Sequence, residues 1–135
     1  MGADKEKHQG GLMIVISVIL TGMLGAVARF YADFILNQLT GSRFPWSTLL
    51  INWVGSIAIG VLYGISQIHA EWAQLMHILM MGFLGAFTTF STFSLQWILR
   101  TIEQSAGIAI VYIALSVFGG VTLAGIGWKA ALYFL

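Results

Sequence analysis

An apolar stretch near residue 90 carries an unusual density of hydroxyl side chains. Five of the seven residues from Thr88 to Ser94 are Ser or Thr. Such side chains can hydrogen-bond the local backbone and so compete with the regular helical ladder. Inside a membrane, a non-helical turn persists only where protein or a water-lined cavity satisfies its backbone groups. Residues 82–94 therefore predict a broken helix at a buried polar site. An ordinary helix, with its hydroxyls bonded back to its own carbonyls, fits the residues equally well.

A second set of polar residues recurs at helical spacing. Thr48, Asn52 and Ser56 lie four residues apart, which places them on one helix face. An unpaired amide is costly in lipid, so this face is predicted to point into the protein. A hydrogen bond that only joins two helices explains a lone Asn, but we interpret the stripe of three as part of a polar path.

A third set lies near the end of the chain, where Tyr112, Ser116, Gly120 and Ala124 also recur every four residues. The two small residues form a ridge that lets another helix approach closely. The hydroxyls of Tyr112 and Ser116 would add hydrogen-bond donors to the same helix face. The alternative is that this face only packs against another helix.

Arg29 shares a predicted helix face with Gly22 and Gly25. It either extends to the lipid headgroups or places a fixed positive charge in a vestibule, where it would attract an anion. Asp33, one turn further on, is a candidate ion-pair partner.

Phe87, Phe90 and Phe93 are spaced by three residues. Such a stripe is typical of packing or lipid contact, but an aromatic ring also has a positive edge. That edge can face an anion without offering a competing charge.

The polar residues of the chain do not include the sets that catalysis or proton coupling needs. No carboxylate falls in the middle of an apolar stretch, and proton-coupled carriers depend on such groups. The sequence contains no Cys, and we find no catalytic triad, metal cluster or phosphate-binding loop. The remaining donors suit a small anion that exchanges water for protein hydrogen bonds, so we predict that the chain is not an enzyme.

Composition identifies the environment of these residues. The 135 residues are 59% hydrophobic and only 8% charged, whereas a soluble domain carries about 25% charged residues. This chain is therefore an integral membrane protein, and its net charge of +1 gives no case for binding nucleic acid.

Four stretches meet the length of about 20 apolar residues that a spanning helix needs. They cover residues 12–36, 46–68, 75–99 and 106–135. We predict an all-α membrane protein with one domain, residues 12–135, that follows a disordered tail, residues 1–11.

Four spans place both termini on one side, and orientation then follows Lys and Arg near the membrane. The terminal side holds three such residues, and the other side holds two, or three if Arg29 is included. This near balance predicts insertion in both directions, although a weak bias could still select one.

The motifs together resemble the Fluc/CrcB family of fluoride channels. The resemblance covers all four spans, and its most specific part is the Thr-Thr-Phe-Ser-Thr-Phe-Ser run. The matching positions are 85–94 in the third span, 48–52 and Gly55 in the second, 25–29 in the first, and Tyr112 and Ser116 in the fourth.

The resemblance implies an antiparallel, dual-topology homodimer in a prokaryotic plasma membrane, with two pores that export fluoride passively. Thr48 and Asn52 would line a pore. Phe90 and Phe93 would present aromatic edges to the ion. The path would continue along Tyr112 and Ser116, and the vestibule would hold Arg29.

The resemblance also implies a central sodium ion, held by backbone carbonyls of Gly85 and Thr88 from both subunits. Several positions depart from the family pattern: Ser47 and Ala86 replace glycines, Gly120 stands where some members have a pore hydroxyl, and Gln96 replaces a usual glutamate. The fourth-span path is therefore expected to be shorter.

Two other functions fit the composition. A small dual-topology multidrug or other solute transporter would need a membrane-embedded carboxylate, and the first span has none before Asp33. A bundle that scaffolds another membrane protein would leave the Asn52 face without a purpose.

Overall fold

The structure is a computed structural model, and it describes residues 2–40, 44–103 and 105–135. Every regular element in these ranges is helical, and they contain no strand. The long helices are α1 (Gly2–Thr40), α2 (Trp46–Ile68) and α6 (Ala106–Phe134). Between α2 and α6 the chain forms a series of shorter pieces: a 3₁₀ turn (Ala70–Trp72), α3 (Ala73–Ile78), a π-helical turn (Leu79–Leu84), α4 (Gly85–Phe87) and α5 (Phe90–Glu103).

Four helical stretches in the described residues are long and apolar enough to cross a membrane. They are His8–Thr40, Trp46–Ile68, Ala70–Glu103 and Ala106–Phe134, with mean hydropathies of 2.3, 1.7, 1.6 and 2.1. The predicted all-α class with four spanning helices is thereby confirmed, and the second span has the predicted bounds.

The N-terminal segment differs from its prediction. Helix α1 begins at Gly2, so it continues through most of the segment that the sequence predicts as a disordered tail. The physical reason is local, because Ala, Lys and Glu are strong helix formers and no proline interrupts residues 2–11. The division into a tail and a membrane domain at residue 12 stays a prediction.

The most extensive helix packing within the described residues joins α2 to α6. A Cβ added at Gly64 would lie 2.6 Å from Ala131 Cβ, and one added at Gly60 would clash with the backbone of Ala124. The predicted small-residue ridge on α6 is thus present. A side-chain bond adds to it, since Trp53 Nε1 donates to the carbonyl of Leu115 at 2.9 Å.

Helix α1 packs against the third span in the same way. Gly25 leaves room for the backbone of Phe83, and Gly82 leaves room for Thr21 and Val18. Because lipid tails are as apolar as a buried helix face, no hydrophobic force drives helices together in a membrane, and close packing of this kind is one of the main sources of their association. The two contacts hold the segment that leads into the hydroxyl-rich stretch against α1.

We expect Gly127→Ala to destabilise the protein, because the new methyl group would meet the Ile57 carbonyl. Overpacking of this kind costs about 1–3 kcal/mol. Gly125→Ala is the matched control on the same helix, since a Cβ there meets nothing within 4 Å. The free energy of unfolding in detergent should fall for the first variant and hold or rise slightly for the second, which gains helix propensity. Equal values for the two would contradict the packing.

Candidate functional site

The hydroxyl-rich stretch contains an interruption in the helical backbone. Helix α4 ends at Phe87, Thr88 is extended with φ −81° and ψ 164°, and α5 begins at Phe90. The Thr88 N–H still donates to the Leu84 carbonyl at 3.0 Å, and the groups that leave the helical ladder are the Thr88 carbonyl and the Thr89 N–H. Since a membrane interior offers them no water, they need partners from elsewhere in the protein.

Asn52 supplies the partners for Thr89. Its amide oxygen, Oδ1, accepts the Thr89 N–H at 2.9 Å, and its Nδ2 donates to the Thr89 carbonyl at 3.1 Å. One side chain on α2 thus satisfies both polar groups of one residue in the interruption. Because the amide carries two N–H donors, one donor remains beyond the bond to Thr89.

The hydroxyls of the stretch divide between two tasks. Thr89 Oγ1 accepts the N–H of Thr92 at 3.2 Å, which makes it the N-cap of α5. Thr88 Oγ1 donates to the Leu84 carbonyl at 2.9 Å, and Ser94 Oγ donates to the Phe90 carbonyl at 3.0 Å. The back-bonding that was the alternative to a break therefore occurs beside the interruption.

Arg29 holds the other side of the interruption. Its Nη2 donates to Thr92 Oγ1 at 2.6 Å, and its Nη1 donates to the Thr88 carbonyl at 3.4 Å. The suggested ion pair with Asp33 is absent, because the guanidinium is directed toward the third span instead. Arg29 thus carries its charge within the protein rather than in the headgroups.

Two carbonyls lose their usual helical donors as a result of these contacts. The N–H four residues beyond Gly85 is that of Thr89, and it donates to Asn52. The N–H four residues beyond Thr88 is that of Thr92, and it donates to Thr89 Oγ1. Gly85 is exposed, so its carbonyl lies near the surface of the chain. Carbonyl oxygens of this kind suit a hard cation.

An open cleft of about 290 Å³ lies beside the interruption. Four of the six predicted pore residues line it, namely Asn52, Phe90, Phe93 and Ser116. The other lining residues are Gly55, Ser56, Ile59, Thr88, Thr89 and Val117. None of these side chains is a carboxylate or a cation, so the cleft offers amide, hydroxyl and aromatic groups.

The remaining two predicted pore residues lie behind the cleft. Thr48 is 3% exposed and Tyr112 is fully buried. Aromatic rings cover Tyr112, because its ring centroid is 5.4 Å from that of Phe93 and 5.8 Å from that of Phe44. Thr48 lies one turn from Asn52 and Tyr112 one turn from Ser116, and the role of these two residues in a pore stays a prediction.

Two hydroxyls in this region are buried without a hydrogen-bond partner among the described residues. They belong to Tyr112 and Ser116. Most buried polar groups in proteins are paired. These two hydroxyls lie one helical turn apart on the same face, so one can donate to the other, and the second O–H remains available for a ligand.

Three residues that shape the site were given no role from the sequence alone. Phe44 packs on Tyr112, Trp53 bonds α2 to α6, and Gly55 leaves room for the Thr88 methyl group. The position of Gly55 in the second-span motif was the one available signal for it. The other two act through contacts between distant parts of the chain, which no spacing rule predicts.

The comparisons with known proteins agree with these motifs. The family model described as "CrcB-like protein, Camphor Resistance (CrcB)" matches residues 16–128. The chain belongs to the CrcB family. The matched region of this CrcB family member includes Arg29, the interruption and every residue of the cleft.

Curated relatives in the family are similar along most of their length. The chain is 40% identical to a fluoride-specific ion channel FluC of Hahella chejuensis over 106 residues, which cover 76% of this chain and 82% of that protein. It is 39% identical to one from Rhodospirillum centenum, over 78% of this chain and 84% of that protein. It is 36% identical to FluC 1 of Bacillus cereus, over 86% and 85%.

Proposed function

We propose that this protein is a fluoride-selective ion channel that lets fluoride leave the cell passively. The observation that carries the proposal is the cleft at the helix interruption, which combines an amide donor, hydroxyls and aromatic edges and has no carboxylate. A small anion needs donors that replace its lost water yet release it again. The names of the CrcB family relatives support fluoride as that anion.

The same lining argues against the two alternatives. A proton-coupled multidrug or solute transporter needs a membrane-embedded carboxylate, and none lines the cleft. A bundle that only scaffolds another protein gives no role to buried hydroxyls without partners. An ion channel catalyses no covalent reaction, so this proposal agrees with the prediction that the chain is not an enzyme.

In this proposal the anion passes along the cleft between α2, α5 and α6. The free N–H of Asn52 and the hydroxyl of Ser116 act as donors, and Phe90 and Phe93 turn ring edges toward the ion. Tyr112 and Thr48 extend the path by one turn. For the ion to reach Tyr112, the rings of Phe93 and Phe44 that cover it move aside. Arg29 holds the Thr88 and Thr92 side of the break and supplies positive charge nearby.

An antiparallel homodimer with two pores would complete the cleft. Phe90 is 79% exposed in the single chain, and the cleft itself is open on one side. Exposing the polar groups of the cleft to lipid would cost free energy, so we expect a second copy of the chain to cover the open side. The near balance of Lys and Arg between the two sides supports insertion of the two copies in opposite directions.

A sodium ion at the centre of the dimer is the second part of the proposal. It rests on the carbonyls of Gly85 and Thr88, which lose their helical donors. Two copies of the interruption at a two-fold axis would bring four such oxygens together. The Arg29 guanidinium donates to the Thr88 carbonyl, and its positive charge repels a cation at that oxygen. The Gly85 carbonyl is therefore expected to be a stronger sodium ligand than the Thr88 carbonyl.

The four apolar helices make the chain a multi-pass membrane protein, and we place it in the plasma membrane of a prokaryote. Fluoride export has an effect only across the membrane that bounds the cell, and the relatives named above come from bacteria.

We expect Asn52→Asp to abolish most fluoride flux. The ionised carboxylate keeps an acceptor for the Thr89 N–H but loses the donors to Thr89 and to fluoride. At about 4 Å a like charge costs about 4 kcal/mol at an effective dielectric constant of about 20. Flux from liposomes, measured with a fluoride electrode at alkaline pH, should therefore fall at least about a hundredfold, and protonation of the carboxylate in acid should restore part of it.

Asn37→Asp is the matched control, because Asn37 lies on α1 away from the cleft and accepts a bond from Ser47 Oγ at 3.0 Å. Its flux should equal that of the wild type, and protein-free liposomes correct for leakage at each pH. Wild-type flux from Asn52→Asp at alkaline pH would mean that Asn52 only joins helices. No flux from the wild-type protein would overturn the channel itself.

Dual topology predicts that the C-terminus lies on both sides of the membrane. Reporter fusions at the C-terminus should give comparable signals from each side, because the Lys and Arg bias is nearly zero. Adding two Lys residues within residues 37–43 should skew these populations. A wild-type signal from one side alone would rule out an antiparallel dimer.

The sodium proposal predicts density between the two interruptions in a high-resolution map of the dimer in sodium fluoride. The density should lie within coordination distance of the carbonyls of Gly85, and it should vanish or weaken when a bulky organic cation replaces sodium. An empty space in the sodium map would contradict the site. The map is preferable to a flux assay, since slow exchange of a central ion would hide any functional effect.

A further inference from the structure

Helix α5 carries an arginine, Arg100, that has no role in the proposed fluoride path. Arg100 Nε is buried with no hydrogen-bond partner among the described residues, as are the hydroxyls of Tyr112 and Ser116. Buried donors of this kind are normally paired. The Tyr112 and Ser116 hydroxyls lie one helical turn apart and can donate to each other, so the region keeps at least two donors for a ligand rich in acceptor character.

The three donors belong to one region of the α5–α6 contact. The rings of Phe93 and Tyr112 are 5.4 Å apart, and Arg100 follows Phe93 by seven residues, which places both on one face of α5. Ser116 is one turn from Tyr112 on α6 and lines the cleft, so the donors continue the cleft toward the C-terminal end of α5.

Gln96 orients Arg100 without neutralising it. Arg100 Nη2 donates to Gln96 Oε1 at 3.2 Å, and this oxygen belongs to a neutral amide. Among the residues whose side chains the structure describes, no carboxylate lies within ion-pair distance of Arg100; the contact at that distance joins Glu71 to His69, which is charged only when protonated. The guanidinium therefore keeps its full positive charge.

We propose that Arg100 is an anion-capture residue at the mouth of the cleft and that Gln96 is the positioning residue that keeps its charge free. The captured ligand is a small anion, whose identification as fluoride rests on the proposed function. Arg100 raises the local concentration of anions, and its Nε–H joins the Tyr112 and Ser116 hydroxyls in replacing water around the ion. The ion then enters the cleft at Ser116.

Two variants test the proposal through the fluoride dependence of liposome flux. Arg100→Gln removes the charge. Gln96→Glu leaves Arg100 in place but gives it an anionic partner one turn toward the N-terminus, the favourable order for such a pair on a helix. Both should raise the fluoride concentration for half-maximal flux by at least about threefold at low ionic strength. The shift should shrink in 1 M potassium gluconate, where the Debye length is about 3 Å.

Lys129→Gln is the matched control, because it removes the same charge from α6 at a distance of about 25 Å along the helix from Tyr112. Its half-maximal concentration should equal that of the wild type. An equal shift in all three variants would indicate a general surface-charge effect and overturn the proposal. No shift in Gln96→Glu, the variant least expected to disturb folding, would overturn it as well.

Direct binding separates this inference from the channel proposal. In ¹⁹F NMR of sodium fluoride with detergent-solubilised protein, the wild type should broaden the fluoride line more than Arg100→Gln does. If wild-type liposomes pass no fluoride but this difference persists, the channel proposal fails and the capture site stands. If liposomes conduct but the two proteins give equal line widths and equal half-maximal concentrations, the capture site fails and the channel stands.

Discussion

The pair of hydrogen bonds between the Asn52 amide and the Thr89 peptide is the interaction on which the site depends. It bonds both polar groups of the residue at the break, at 2.9 and 3.1 Å. Without it, the part-buried Thr89 N–H would lose its partner at a cost of about 1–3 kcal/mol. The interruption, the N-cap of α5 and the free carbonyl of Gly85 all follow from this arrangement.

Close helix packing makes that pair of bonds possible. Asn52 reaches Thr89 because Gly55, one turn away, leaves room for Thr88. On the opposite side of the bundle, Trp53 bonds to the Leu115 carbonyl and lies against Gly119. Helix α2 is thus held between α6 and the interruption, and small residues set the distances on both sides. The same helix therefore supplies the packing of the protein and the amide of the site.

Two arginines lie outside a cleft that contains no charge itself. Arg29 contacts the Thr88 and Thr92 side of the interruption, and Arg100 lies seven residues beyond Phe93 on α5. Between them, the lining consists of amide, hydroxyl and aromatic groups. Such a distribution attracts an anion from a distance while leaving it weakly held inside, which is the condition for conduction rather than storage.

The sequence alone determined the class, the four spans and the faces that carry polar residues, because hydropathy and helical spacing are local properties of the chain. It also identified Asn52, Phe90, Phe93 and Ser116, which the structure brings to one cleft. It placed Tyr112 on the correct face but could not show the Phe44 and Phe93 rings that cover it. Only the tertiary structure decided that Asn52 binds Thr89, that Arg29 donates to Thr92 instead of pairing with Asp33, and that the ring of Phe93 packs on Tyr112. Each of these outcomes depends on which helices pack together and how closely, and that distance is not encoded in the spacing of residues along one helix.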